Sequence, residues 1–287
     1  MSYPYVISHE KLSLYITVLN INGLYLHEEI LPDVLSQLAR SIELDGRLNH
    51  PVIADKKSFV VLDGMHRVAA LERLGCKWIP VCLVDYENPA ITVGCWYRAI
   101  RGGDALEGIV TQARQASLTV EEVKNIDETK VGDSPIVVAI KNRRKFFLVR
   151  SSFQSVKEAY DLIKQIEEGL RKLGLEVLYE TEMDALKKLW EHKVDVVLLT
   201  PKLSKSSIIN TALSGKVFSH KATRHVIPAR PLNLKVPLSL LRNGEKTFDE
   251  VNDELRLLLQ KRRLKHVAAG SILNGRRYEE DLYLFEE

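Results

Sequence analysis

Phe59-Val-Val-Leu-Asp-Gly-Met-His-Arg-Val-Ala-Ala-Leu-Glu-Arg-Leu-Gly75 changes its period halfway along. Phe59, Val60, Val61 and Leu62 are apolar and β-prone. From there Val68, Ala69, Leu71 and Leu74 fall at roughly helical spacing, and Gly75 supplies the residue type that most readily takes the left-handed conformation closing a helix. The stretch predicts a strand, a tight turn at Asp63-Gly64, a helix and a stop. Trp78-Ile-Pro-Val-Cys-Leu-Val-Asp-Tyr86 follows at once as a second strand.

The chemistry sits at the turn. A helix that opens at Gly64 leaves its first backbone N–H groups without intrahelical partners and carries partial positive charge there, which makes it an anion site. Gly64 lets a phosphate approach the backbone closely, and Met65, His66 and Arg67 follow it; His66 and the planar fork of Arg67 add side-chain donors. Asp63 is the odd member. A carboxylate beside a bound phosphate is repelled unless a Mg²⁺ lies between them or the carboxylate takes a proton in the reaction. The same five residues also fit an ordinary turn, with Asp63 capping the helix and His66 and Arg67 in solvent.

Upstream, Tyr15 to Leu26 is apolar and β-rich, with Asn22-Gly23 as a turn or bulge. Pro32 then opens a helix whose apolar face is Val34, Leu35, Leu38, Ala39 and Ile42, and Asp45-Gly46 ends it. Glu28 and Glu29 thus fall in a strand-to-helix connection, from which side chains commonly reach a site. Pro51 precedes a short strand, Val52-Ile53-Ala54, and His50 lies in the loop before it. Downstream, Ile91 to Tyr97 reads as a further strand containing Trp96-Tyr97, and residues 108–129 as a helix with a connecting stretch. Residues 135–149 read as a hairpin, and Val156 to Leu173 as a strongly amphipathic helix. Leu175–Tyr179 (strand), Thr181–His192 (helix) and Val194–Thr200 (strand) continue an alternation that argues for α/β layers. Phe248 to Lys265 is expected as a helix with a basic end, and Tyr283–Phe285 as a returning strand.

The chain has 287 residues, enough for one large domain or two smaller ones, and 45% of them are hydrophobic. Lys and Arg number 41 against 38 Asp and Glu, a net charge of +3. That mixed balance fits an enzyme with anionic ligands better than a dedicated DNA-binding protein, so nucleic acid is not the expected partner. No apolar run approaches the ~20 residues that span a bilayer, and Met1 to Glu10 lacks a charged-then-apolar leader, so the expected location is cytoplasmic and no membrane partner is expected. Cys76, Cys82 and Cys95 match no zinc spacing and read as buried small hydrophobes. Oligomeric state is open at this level.

A second polar run, Thr223-Arg224-His225, ends the stretch Val217-Phe-Ser-His-Lys-Ala-Thr-Arg-His-Val-Ile-Pro228. A hydroxyl, a guanidinium and an imidazole together bind carboxylate or phosphoryl oxygens, although such a run is also ordinary surface.

The strand, Asp63-Gly-x-His-Arg67, the Ala-containing helix ending Leu-Gly, and the following strand ending Asp-Tyr resemble the nucleotide-binding unit shared by ParB-type partition proteins, sulfiredoxins and free L-serine kinases. Sulfiredoxins carry a reactive Cys before His-Arg, where this chain has Met65, and ParB proteins carry Gly-Glu-Arg-Arg. The form present here is that of the serine kinases. His27-Glu28, Trp96-Tyr97 and Thr223 to His225 match three further motifs of that family in the same order, and the resemblance covers roughly residues 10–240. It implies a mixed α/β fold, with a ParB/sulfiredoxin-like nucleotide-binding domain over residues 1–110, a larger α/β domain over 111–287 and an active site in the cleft between them. It implies ATP or ADP as phosphoryl donor with Mg²⁺, and L-serine as acceptor, giving O-phospho-L-serine for cysteine or related biosynthesis. By residue, it implies Glu28 as general base and Asp63 near the metal and the transferred group. Gly64, Met65, His66, Arg67 and Val52 hold the nucleotide, and Trp96, Thr223, Arg224 and His225 hold serine. The alternative class is a ParB-like nucleotide-dependent DNA-binding regulator. Archaeal kinases of this kind often stop near residue 240, so residues 241–287 are an extension to which sequence assigns no role.

Overall fold

The structure, a computed structural model, describes residues 3–273 and 275–287. Leu12, Leu14, Ile16 and Val18 alternate into the core along β2 (Leu12–Asn20), which runs antiparallel to β1 (Tyr5–His9). A single 3₁₀ turn, Ile21–Gly23, is capped by the Asn20 side chain and ends the strand. Then follow α1 (Pro32–Asp45), β3 (Val52–Asp55), β4 (Val61–Asp63), α2 (Met65–Arg73) and β5 (Trp78–Val84). The five strands form one sheet in the order β1-β2-β5-β3-β4. Only β3 and β5 are parallel, Val52 lying opposite Val81 and Asp55 opposite Val84. A parallel pair needs a crossover, and α2 lies in it. This is the strand, turn, helix and strand that the change of period predicts.

Contacts group residues 1–92, 212–215 and 225–287 into one compact unit, and residues 93–211 with 216–224 into another. The division differs from two consecutive domains meeting near residue 110: the chain leaves the first unit at Thr92 and later re-enters it.

The second unit is built on β6 (Tyr97–Arg101), α3 (Ala105–Gln115), β7 (Thr119–Val123), β8 (Ile136–Lys141), β9 (Phe146–Arg150), α4 (Val156–Lys172), β10 (Glu176–Glu180), α5 (Glu182–Trp190) and β11 (Val196–Leu199). Its six strands run β10-β6-β11-β8-β9-β7, every neighbour antiparallel. Helix α6 (Lys205–Leu213) follows. Ser155 caps α4 through the Glu158 amide, and Ala159, Ile163, Ile166 and Leu170 recur at helical spacing and are wholly buried in a core shared with β8 and α3. The helix expected over 108–129 stops at Gln115. Thr119–Val123 pairs with β9 instead, and Lys145–Glu122 and Arg150–Glu121 ion pairs join the two strands. The strand expected over 91–97 is broken: Thr92–Gly94 is a strand, Cys95 and Trp96 belong to none, and β6 begins at Tyr97.

The returning segment completes the first unit with β12 (Ala229–Leu232), α7 (Phe248–Gln260), β13 (Arg263–Val267) and β14 (Asp281–Glu286), β14 lying parallel to β12 and antiparallel to β13. Thr247 and Glu250 form a reciprocal capping box at the start of α7. The helix ends five residues before the expected Lys265, because Arg263–Val267 finds ladder partners in β14. Asn252 of α7 is 1% exposed, and its Oδ1 accepts from Thr17 Oγ1 at 2.7 Å and from the Val18 amide at 3.3 Å, which joins the C-terminal helix to β2. The mixed α/β class matches the expectation.

Ile163 is wholly buried between the sheet and α3. Ile163→Ala is expected to lower stability by about 2–5 kcal/mol through lost apolar contact and a residual cavity, measured as a shift in the urea midpoint at unchanged m.

Candidate active site

Gly64 sits between β4 and α2 with φ +99° and, as the N-cap of α2, brings no side chain of its own to cap it. Asp63 Oδ2 accepts from Arg67 Nη2 at 2.6 Å and from Arg230 Nη1 at 3.1 Å. Arg67 also donates from Nη1 to the Pro51 carbonyl, and Arg230 pairs through Nε with the Glu280 carboxylate. Two carboxylates and two guanidiniums thus balance around the turn. The Arg230 and Glu280 side chains are almost fully buried, and Asp63 is the most accessible of the four. His66 Nε2 accepts the Leu31 amide at 3.1 Å, so the neutral ring carries its proton on Nδ1 and the start of α1 is tied to the first turn of α2. Met65 is half-buried at the first position of α2. Val52 is completely buried in register with Val81, and His50 accepts the Asn233 amide at 3.1 Å.

In the same unit His27 and Glu28 are both buried. The His27 ring meets the His225 ring edge to face at 5.3 Å, and His225 Nε2 lies 2.8 Å from Tyr86 Oη. Burial pushes the Tyr86 phenol well above its ordinary value, so it stays protonated and is a fixed partner for the imidazole. Tyr86 is held in turn through its amide, which donates to Asp55 Oδ1 at 3.2 Å.

Trp96, Thr223 and Arg224 belong to the second unit. Trp96 Nε1 donates to the Thr223 carbonyl at 2.9 Å, and Lys221 Nζ lies 4.6 Å from the indole centroid. Thr223 is buried, and Arg224 Nη2 is 3.9 Å from the Glu182 carboxylate. The structure thus brings Trp96 together with Thr223, and His27 with His225. Sequence reasoning missed Arg230, Glu280 and Tyr86. The one local signal for Arg230 is a lone cation in the apolar strand Ala229–Leu232, all four residues of which are buried. The three cysteines are buried thiols; burial raises the Cys95 thiol to about 12, which leaves it no thiolate character near neutral pH.

Among the described residues no three His, Cys, Asp or Glu side chains cluster as a metal cage. A single carboxylate at the turn fits Mg²⁺ that arrives with a nucleotide, because this ion is ordinarily held by one or two carboxylates together with substrate phosphates. No helix among the described residues is long and apolar enough to cross a membrane.

Burial lowers the His27 pKa below its ordinary 6.5, against the opposing pull of Glu28 and a backbone hydrogen bond at Val61. Above about pH 6.5 the ring is neutral whether the chain is folded or unfolded. Below that the unfolded chain takes up the proton first, so stability falls as pH falls through this window. Melting temperatures at about pH 7.5 and about pH 5.5 should therefore diverge more for the wild type than for His27→Gln. Equal divergence in the two proteins would refute a buried neutral His27.

No family model matches the chain. It is 29% identical over 238 residues to the ATP-dependent L-serine kinase of Staphylothermus marinus, covering 78% of this chain and 90% of that one. It is 26% identical over 219 residues to the ADP-dependent L-serine kinase SerK of Thermococcus kodakarensis, covering 75% and 88% of the two chains. Among solved structures, a free serine kinase in complex with AMP matches with a TM-score of 0.68 at 25% identity, over 83% of this chain and 97% of that one. The sequence similarity and the architecture agree: the chain is similar to free L-serine kinases over most of its length and shares their fold.

Proposed function

We propose that this protein is a free L-serine kinase, which transfers a phosphoryl group from ATP or ADP to the serine hydroxyl and releases O-phospho-L-serine. The observation that carries this reading is the Gly64 turn, where a helix start with glycine at its N-cap, Arg67 and Asp63 meet within one unit that also buries Glu28. The first-turn amides with His66 and Arg67 hold the nucleotide phosphates, Arg67 turning from the Pro51 carbonyl and Asp63 toward the anion. Asp63 is the carboxylate that would hold Mg²⁺, which supplies charge neutralisation across the phosphate oxygens. Glu28 takes the proton from the serine hydroxyl as its oxygen bonds to the terminal phosphorus. The bond from that phosphorus to its bridging oxygen breaks, and ADP or AMP leaves with the electron pair. Trp96, Thr223, Arg224 and His225 orient serine, and Tyr86 fixes the His225 ring. The product is a precursor for cysteine or related biosynthesis.

Phosphoserine formation by the wild type and by Glu28→Gln, run in parallel on ATP and ADP with Mg²⁺, tests the reading. The wild type is expected to turn over with one donor, and the variant to lose about 100-fold or more in kcat while still binding nucleotide. Absence of phosphoserine from the wild type with both donors would sink the proposal.

A further inference from the structure

In the second unit, the backbone carbonyls of His220, Lys221, Ala222 and Thr223 each accept a hydrogen bond from a side chain rooted elsewhere in that unit. Arg98 donates from Nη2 to the His220 carbonyl at 3.5 Å and from Nη1 to the Lys221 carbonyl at 3.0 Å. Tyr160 Oη reaches the Ala222 carbonyl at 3.1 Å and the Pro201 carbonyl at 2.6 Å. Trp96 Nε1 donates to the Thr223 carbonyl at 2.9 Å. Residues 220–223 lie outside any helix or strand, so their carbonyls are met here by side chains. Lys221 has φ +61°, a conformation that a non-glycine residue keeps only where its surroundings hold it.

Arg98 is wholly buried. Its Nε donates to Glu167 at 2.6 Å, and Glu167 accepts from Tyr179 Oη at 2.8 Å. A fourth bond, from Nη1 to the Trp96 carbonyl at 2.6 Å, joins the start of β6 to the same guanidinium. Burying such a pair is expensive, and well-packed apolar residues of the same volume often fold as stably. What an apolar pair lacks is a planar fork of donors that grips several carbonyls at once.

We propose that Arg98 and Tyr160 are positioning residues, which fix the backbone of residues 220–223 and through it the directions in which the Thr223 and Arg224 side chains leave the chain. The kinetic part of this proposal rests on the serine-kinase reading; the structural part does not. Loosening the segment therefore weakens binding of the amino acid while leaving nucleotide binding as it was.

Tyr160→Phe keeps the ring against Phe218 and removes only the hydroxyl. It is expected to raise the serine KM about three- to tenfold with the nucleotide KM unchanged, and to speed amide hydrogen exchange in residues 220–224 but not in α4. Arg98→Lys, which keeps the charge beside Glu167 and loses the fork, is expected to do the same more strongly. Unchanged serine KM in both variants overturns the proposal, as do equal rises in the serine and nucleotide KM. A wild type that makes no phosphoserine overturns the kinase reading instead; exchange then judges the clamp alone, and unchanged exchange in residues 220–224 overturns it.

Discussion

The absence of a side chain at Gly64 is the constraint on which the first unit depends. At φ +99° a Cβ there would stand 2.7 Å from both Nε and Nη2 of Arg67, inside contact distance of a guanidinium already fixed by Asp63 and the Pro51 carbonyl. A side chain at this point would meet a left-handed backbone penalty of roughly 1–3 kcal/mol and would also displace Arg67. The passage from β4 to α2 and the position of Arg67 are therefore consequences of one missing atom. So is the closeness with which an anion can approach the first turn of α2.

Both units bury a guanidinium among carboxylates. In the second unit Arg98 faces Glu167 and grips three carbonyls. In the first, Arg230 stands between Asp63 and Glu280, so a residue of the C-terminal extension helps set the charge around the turn. Without Glu280, Asp63 would face two guanidiniums with one carboxylate fewer to balance them. The extension, silent in the sequence, thereby acquires an electrostatic place in the structure.

What was legible from sequence was whatever is local. The change of period at Asp63-Gly64 located β4, the turn and α2, and Ser155 with the apolar row from Ala159 to Leu170 located α4. The strands β7 and β13 were hidden because Thr119–Val123 and Arg263–Val267 are short and mostly polar, and become strands by pairing with β9 and β14. The site was legible to the same extent. Asp63 and Arg67 are four residues apart and readable as one motif, whereas Arg230 meets Asp63 across 167 positions and Tyr86 meets His225 across 139. No window along the chain spans such distances, so these partners emerge only from the fold. Val52 shows the converse: an apolar residue after a proline suits a ligand wall or a core strand equally, and here its side chain is wholly buried in the sheet.

The first unit is interrupted, and this orders events during synthesis. Residues 1–92 emerge from the ribosome early, yet the Asn252 side chain that bonds Thr17 and Val18 emerges much later, as do the strands β12 to β14. At ordinary translation speeds of about 5–20 residues per second, the interval from Thr92 to Asn252 is roughly 8–32 s. Apart from a short return, the second unit is one continuous stretch and holds all the partners of its own sheet, so it is complete while the first still waits. During that wait the face of β2 that α7 will cover is open to other chains. The nascent protein thus passes through a stage in which the first unit is the incomplete one.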